Sequence, residues 1–139
     1  MFKWVGFYRE LAYGDKRSES LYDAILTASS LNKSKILCYL KAGDVLGFGQ
    51  RITQDILLKD KKVIGCELTL TDGLWIWPSD LVYYFEEYNI SLDDDFVSHM
   101  RDNEWTVANK DMSDIGKITE EYQENVRRAM AIITNFYNK

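Results

Sequence analysis

The residues best equipped for chemistry crowd between Asp80 and Glu104, where eight carboxylates meet a single arginine, Arg101, and leave a local charge of −7. The chain as a whole carries −5, so the remainder sums to +2. Within this block lies the only histidine, His99, with Asp95 four residues before it and Asp102 three after. Such neighbours favour the protonated imidazolium, and a lone histidine of this kind reads first as an exposed residue on an acidic helix. A Ser–His–Asp arrangement would need a nucleophile in a setting such as G-x-S-x-G, which the sequence lacks. Acid–base work by paired carboxylates depends on spatial pairing and stays open at this level. Asp93-Asp94-Asp95 invites a divalent cation, yet a calcium loop needs ligands at alternate positions around a glycine and a closing glutamate. That pattern is absent, and capping of a helix N-terminus accounts for the run. Gly47-Phe48-Gly49 is no dinucleotide fingerprint either, because Ile52 stands where the third glycine belongs and no Walker lysine follows. Cys38 and Cys66 are too few and too far apart for a disulfide framework or a zinc site, and their apolar neighbours predict buried free thiols. No catalytic residue, metal or cofactor is therefore expected.

Binding chemistry is the better match. Asp80, Tyr83, Tyr84 and Glu87 fall at i, i+3, i+4 and i+7, one outer or flanking stripe of a helix. Tyrosine is among the side chains that anchor protein interfaces. With Asp93, Asp94 and Asp95 at the start of the next helix, these residues form the candidate partner-binding surface.

The elements that must position them follow from periodicity. A first helix is expected over Ser18–Ser30 with Ser18 as cap, and a second from about Ser34 to Gly43, where a left-handed glycine would end it. The segment from Gly43 to Leu58 is ambiguous between loop and strand. Lys62–Trp77 is the clearest β signal: two apolar runs flank Asp72-Gly73, a dipeptide suited to a two-residue hairpin turn. That turn would set Leu70 opposite Trp75 and Leu68 opposite Trp77, with Cys66 on the same face and Glu67, Thr69, Leu74 and Ile76 on a mixed, partly covered one. Pro78 suits the first turn of a helix running to Tyr88, whose inner stripe is Leu81, Val82, Phe85 and Tyr88. Asp93 caps a further helix, with Leu92 and Val97 at the spacing of a hydrophobic staple. The longest helix closes the chain, capped at Thr119 and striped by Tyr122, Val126, Ala129, Met130, Ile133 and Tyr137. The expected fold is α+β, with a small antiparallel sheet centred on the hairpin and packed by several helices, including the long C-terminal one.

Length and composition set the frame. A chain of 139 residues fits one domain, 1–139, and a hydrophobic content of 46% with 14% aromatics is that of a packed core. No apolar run is long enough to span a bilayer, and MFKWVGFYRE lacks a hydrophobic segment followed by a small-residue cleavage site, so a cytoplasmic protein is expected. An acidic chain lacks the basic stripe that nucleic-acid binding requires. Met1 to Val63 is nevertheless basic, with eleven Lys and Arg against seven acids.

TDGLWIWPSDLVYYFEEY, followed by LDDDFVSHM, resembles a TDGxWxW–xDLxYYxxxY core found in a set of small bacterial proteins, and WVGFYREL and YLKAGDVL resemble further stretches of the same set. Together they cover about half of the chain. Such proteins are similar to the immunity partners of polymorphic and contact-dependent growth-inhibition toxins. The resemblance implies a non-enzymatic protein that binds and neutralises one cognate toxin domain, without naming the toxin. The chain departs from the pattern at Pro78 and in the three-aspartate run. Many such toxins are nucleases with basic grooves, which an acidic patch would capture and cover. The rival expectation is a small enzyme or ligand-binding domain using a pocket between the hairpin and the helices near His99.

Overall fold

The computed structural model describes every residue except Thr27, Ser29, Asn138 and Lys139, and for Gln50 the backbone alone. The fold is α+β. Its sheet holds β1 (Lys3–Trp4), β2 (Asp44–Gln54), β3 (Val63–Thr71) and β4 (Trp75–Pro78) in the order β1-β4-β3-β2. The β2–β3 and β3–β4 pairs are antiparallel, but β1 joins β4 in parallel, so the sheet is mixed rather than wholly antiparallel. Around it lie α1 (Leu21–Ala24), α2 (Lys33–Lys41), α3 (Ser79–Glu87), α4 (Asp94–Asp102) and α5 (Ile115–Tyr137).

The β3–β4 hairpin pairs Leu70 with Trp77 and Thr71 with Ile76, a register two residues from the expected one. The cause is Asp72. Its Oδ1 accepts from the Leu74 and Trp75 amides at 2.9 and 2.7 Å, so Asp72 opens the turn and Gly73-Leu74 forms it. Gly73 takes φ +103°, a conformation glycine adopts without strain. A displacement of two preserves the side-chain alternation, and Cys66, Leu68, Leu70, Trp75 and Trp77 all enter the core. There Phe96 of α4 stacks near Trp75 and Trp77, at ring-centroid distances of 4.9 and 5.3 Å, with Tyr39 of α2 completing the cluster. Trp77 Nε1 donates to the Leu40 carbonyl at 3.1 Å, satisfying its one polar atom.

Other boundaries moved for local reasons. The helix expected over Ser18–Ser30 is reduced to Leu21–Ala24; Ile25 bridges to Ile90, while Thr27 and Ser29 lie outside the described residues. The ambiguous segment is the long edge strand β2. In α4, Asp93 caps as expected, its carboxylate accepting from the Asp95 and Phe96 amides. The last helix begins before Thr119, because Asp114 accepts from the Lys117 amide at 3.0 Å and caps it. Tyr122, Ala129 and Ile133 are buried along α5 as expected, but Tyr137 is exposed. Both cysteines are free and buried.

Gly43 follows the end of α2 without a left-handed backbone, and what requires glycine there is close packing. A Cβ there would approach Trp77 Cζ2 to 2.6 Å, and Trp77 is held on all sides. Gly43→Ala should therefore lower stability by about 1–3 kcal/mol through overpacking, read as a shifted urea midpoint. An unchanged midpoint would mean that the Trp77 ring is free to yield.

Candidate partner-binding site

The tyrosine–acid stripe on α3 is mostly an interior feature. Asp80 is 2% exposed and Tyr84 0%, so these two members of the expected outer or flanking stripe face the interior and do not meet a partner directly. Asp80 accepts from Tyr13 Oη at 2.7 Å and Thr53 Oγ1 at 2.8 Å. Tyr84 Oη accepts from the Ile56 amide at 3.1 Å. Tyr83 is half-buried, and its hydroxyl turns to Asp55, a residue that sequence reading passed over. Asp55 is 0% exposed and also accepts from Tyr88 Oη at 2.6 Å and the Leu57 amide at 2.7 Å. Pro78 is buried as well.

His99 is likewise more enclosed than expected. Its Nε2 lies 3.3 Å from Oδ2 of Asp72, which also accepts from Tyr39 Oη at 2.5 Å. Its partner is thus the hairpin turn, not Asp95 or Asp102 on its own helix. Burial raises both cysteine thiols above their usual values, Cys66 to about 11, which removes the thiolate needed for nucleophilic work at neutral pH.

Glu87, Asp93, Asp94 and Asp95 are exposed. Asp93 and Asp94 line a polar cleft of about 580 Å³, and the structure brings Asp15 and Glu19 to it from the segment that reads as basic in sequence. Glu87 and Asp95 do not line this cleft. Asp15 pairs with Arg17 at 3.5 Å, both exposed; Glu19 and Asp94 have no ion pair among the described residues. Partial burial, followed by repulsion from Asp93, raises the Glu19 carboxyl above its ordinary value. Four carboxylates thus share one cleft.

Aromatic rings also line the cleft. Trp4, 64% exposed, packs edge-on to Phe7 at 5.4 Å, and Phe7 packs edge-on to Tyr13 at 6.1 Å. This ridge separates the acidic cleft from an apolar one of about 440 Å³, and Phe7 lines both. The ridge is built on short tethers. The Lys3 and Val5 amides donate to Leu74 and Ile76 carbonyls at 2.9 and 3.0 Å. Gly6, at φ +82° and close against Leu81, turns the chain out of the strand. The Arg9 amide donates to Glu19 and the Asp15 amide to Phe7, and Glu10 accepts from Ser20 Oγ and the Leu21 amide at 2.6 and 2.7 Å. Sequence reading missed Trp4 and Phe7; their one signal is apolar side chains in a glycine-containing segment with neither helical nor strand period. His99 lines neither cleft.

Comparison with protein-family models, curated proteins and solved structures gives no match. Among the described residues, no group of three or more His, Cys, Asp or Glu is arranged to hold a metal ion. Nor is any helix among them long and apolar enough to cross a membrane.

Two consequences of the buried carboxylates are measurable. Burial pushes the Asp80 carboxyl up to about 6, although its bonds from Tyr13 and Thr53 pull the other way. A carboxyl harder to ionise when folded contributes stability at low pH that is lost as pH rises through about 6. Urea unfolding should show this component shrinking by about 1–1.5 kcal/mol between pH 5 and 8, and Asp80→Asn should lack it. A parallel pH profile in the variant would rule out Asp80 as its source. Tyr83→Phe should cost about 1–3 kcal/mol, because Asp55 loses a donor while buried; a smaller loss at constant m-value would place Tyr83 on the surface.

Proposed function

We propose that this chain is a binding protein of the immunity type, which captures a basic toxin domain through the acidic cleft and the aromatic ridge beside it. The observation that carries this reading is the convergence of Asp15, Glu19, Asp93 and Asp94, from two distant segments, around the exposed Trp4. A cleft of one charge sign concentrates field and speeds capture of an opposite charge. An exposed tryptophan beside it supplies the anchor that charge alone does not, since buried aromatic residues dominate binding energy at protein interfaces. Trp4 and Phe7 take the anchoring role expected of Tyr83 and Tyr84, whose hydroxyls are engaged inside the fold. Glu87 and Asp95, exposed outside the cleft, extend the negative field. The resemblance of the TDGLWIWPSDLVYYFEEY stretch to immunity proteins supports the same class.

The test is kinetic and uses a basic toxin domain recovered by affinity capture on this chain, in binding and in growth protection. Glu19→Lys, Asp94→Lys and Asp95→Lys together should slow association at least about tenfold at low salt, with the deficit shrinking as salt rises. Asp93 is left in place because it caps α4. Trp4→Ala should act on dissociation instead. Undiminished association and protection in the triple variant would remove the acidic cleft from the interface.

A further inference from the structure

The apolar cleft on the other side of the ridge is constructed in ways the acidic reading does not use. Phe7, Tyr13, Leu46, Phe48, Leu68 and Pro78 wall it, and its volume of about 440 Å³ falls in the range of ligand-binding cavities. One carboxylate enters these walls, that of Glu67. Glu67 lies over Gly49, where a Cβ would collide with its carboxylate, so Gly49 makes room for the charge. The nearest cation is Arg51, 3.7 Å from Glu67 Oε1 and well exposed. Asp80 adds a second carboxyl behind Tyr13. This end of an apolar cleft therefore favours a cation.

Gly47 is different. A Cβ there would meet nothing within 4 Å, and its backbone is outside the left-handed region, so no contact or φ value within the chain demands glycine. It lines the cleft and leaves open space above the strand, as a glycine does where another chain approaches closely. The rim continues along β2, the outermost strand of the sheet, with Val45, Leu46 and Phe48 exposed. A small molecule would leave that rim uncovered. A protein segment would cover it and run beside the outer edge of β2, which among the described residues pairs with β3 alone.

We infer that this cleft receives a short extended segment of a partner protein, seating an apolar side chain against Phe7, Phe48 and Pro78 and a neighbouring Lys or Arg on Glu67. The inference rests on the partner-binding reading but not on the acidic cleft, and the two surfaces can fail separately. The probe is a phage-displayed library of random dodecapeptides, selected on the full chain and counter-selected on Gly47→Trp. That variant fills the mouth of the cleft where space is open, and its melting curve should match the parent. Selected peptides should carry a basic residue within two positions of an aromatic or aliphatic one. Synthetic copies should bind Gly47→Trp at least about tenfold more weakly, and Glu67→Gln should erase their advantage over copies with the basic residue replaced by Met. Glu19→Lys, Asp94→Lys and Asp95→Lys should leave peptide binding unchanged even where they abolish toxin capture. No enrichment over Gly47→Trp, or enrichment without a basic residue, overturns the inference. So does benzylamine shifting the Gly47 and Gly49 amide resonances when no peptide is selected, an outcome that assigns the cleft to a small cation.

Discussion

Three aspartates taken out of water hold this fold in register. Asp55, Asp72 and Asp80 lie where one element ends and another begins, and each is met by a tyrosine hydroxyl from elsewhere in the chain. An isolated buried carboxylate is costly, so each position is tenable only while its donors stay in place. Tyrosine suits the task because it spans an apolar layer and presents one donor at its tip. Tyr39 thereby ties α2 to the hairpin turn, Tyr83 and Tyr88 tie α3 to the end of β2, and Tyr13 ties the N-terminal loop to α3. The apolar core drives collapse without direction; these bonds specify which ends meet. Donation to Asp55 also shows in Tyr88, whose phenol burial and the nearby carboxylate push up to about 12.

This arrangement explains what the sequence disclosed and what it hid. Periodicity and turn chemistry found the hairpin and the helices that carry Trp75, Trp77, Leu81 and Phe96, because alternation and capping are local properties. Even the displaced turn left the core-facing hairpin residues on their expected face, since pairing moved by two, although Leu74 passed into the turn and Ile76 is buried. Asp80, by contrast, lies on an α3 stripe that also holds the exposed Glu87, and nothing within α3 reveals that Tyr13 and Thr53 wait for it. Asp55 follows a strand and precedes Ile-Leu-Leu, the setting of an ordinary loop acid. Burial of a charge is decided by its donors, and donors 67 or 28 positions distant, as Tyr13 is from Asp80 and Tyr83 from Asp55, leave no local trace.

Charge followed the same logic in reverse. The block from Asp80 to Glu104 is dense in sequence but dispersed in space: Asp80 turns inward, Glu86 lies 3.4 Å from Lys41, and only Asp93 and Asp94 face the acidic cleft. Asp15 and Glu19 join them from a half of the chain with a positive balance. Polarity along the sequence and polarity across the surface are thus different quantities here, because the loop between β1 and α1 folds back beside the start of α4.

The two clefts share more than a wall. Tyr13 is both the edge of the apolar cleft and the donor that satisfies Asp80, so the position of a surface ring is fixed by a buried charge. Loop residues usually lose freedom when a partner binds, and that ordering opposes association. Here the ridge is already ordered: Trp4 by strand pairing with β4, Phe7 between its two aromatic neighbours, and Tyr13 by its bond to α3. Protonation of Asp80 near pH 6 preserves this bond, since a neutral carboxyl still offers an acceptor to Tyr13 while its own proton can turn to Thr53. The aspartate–tyrosine pairing that positions the helices thus also pre-orders the surface that remains free to bind.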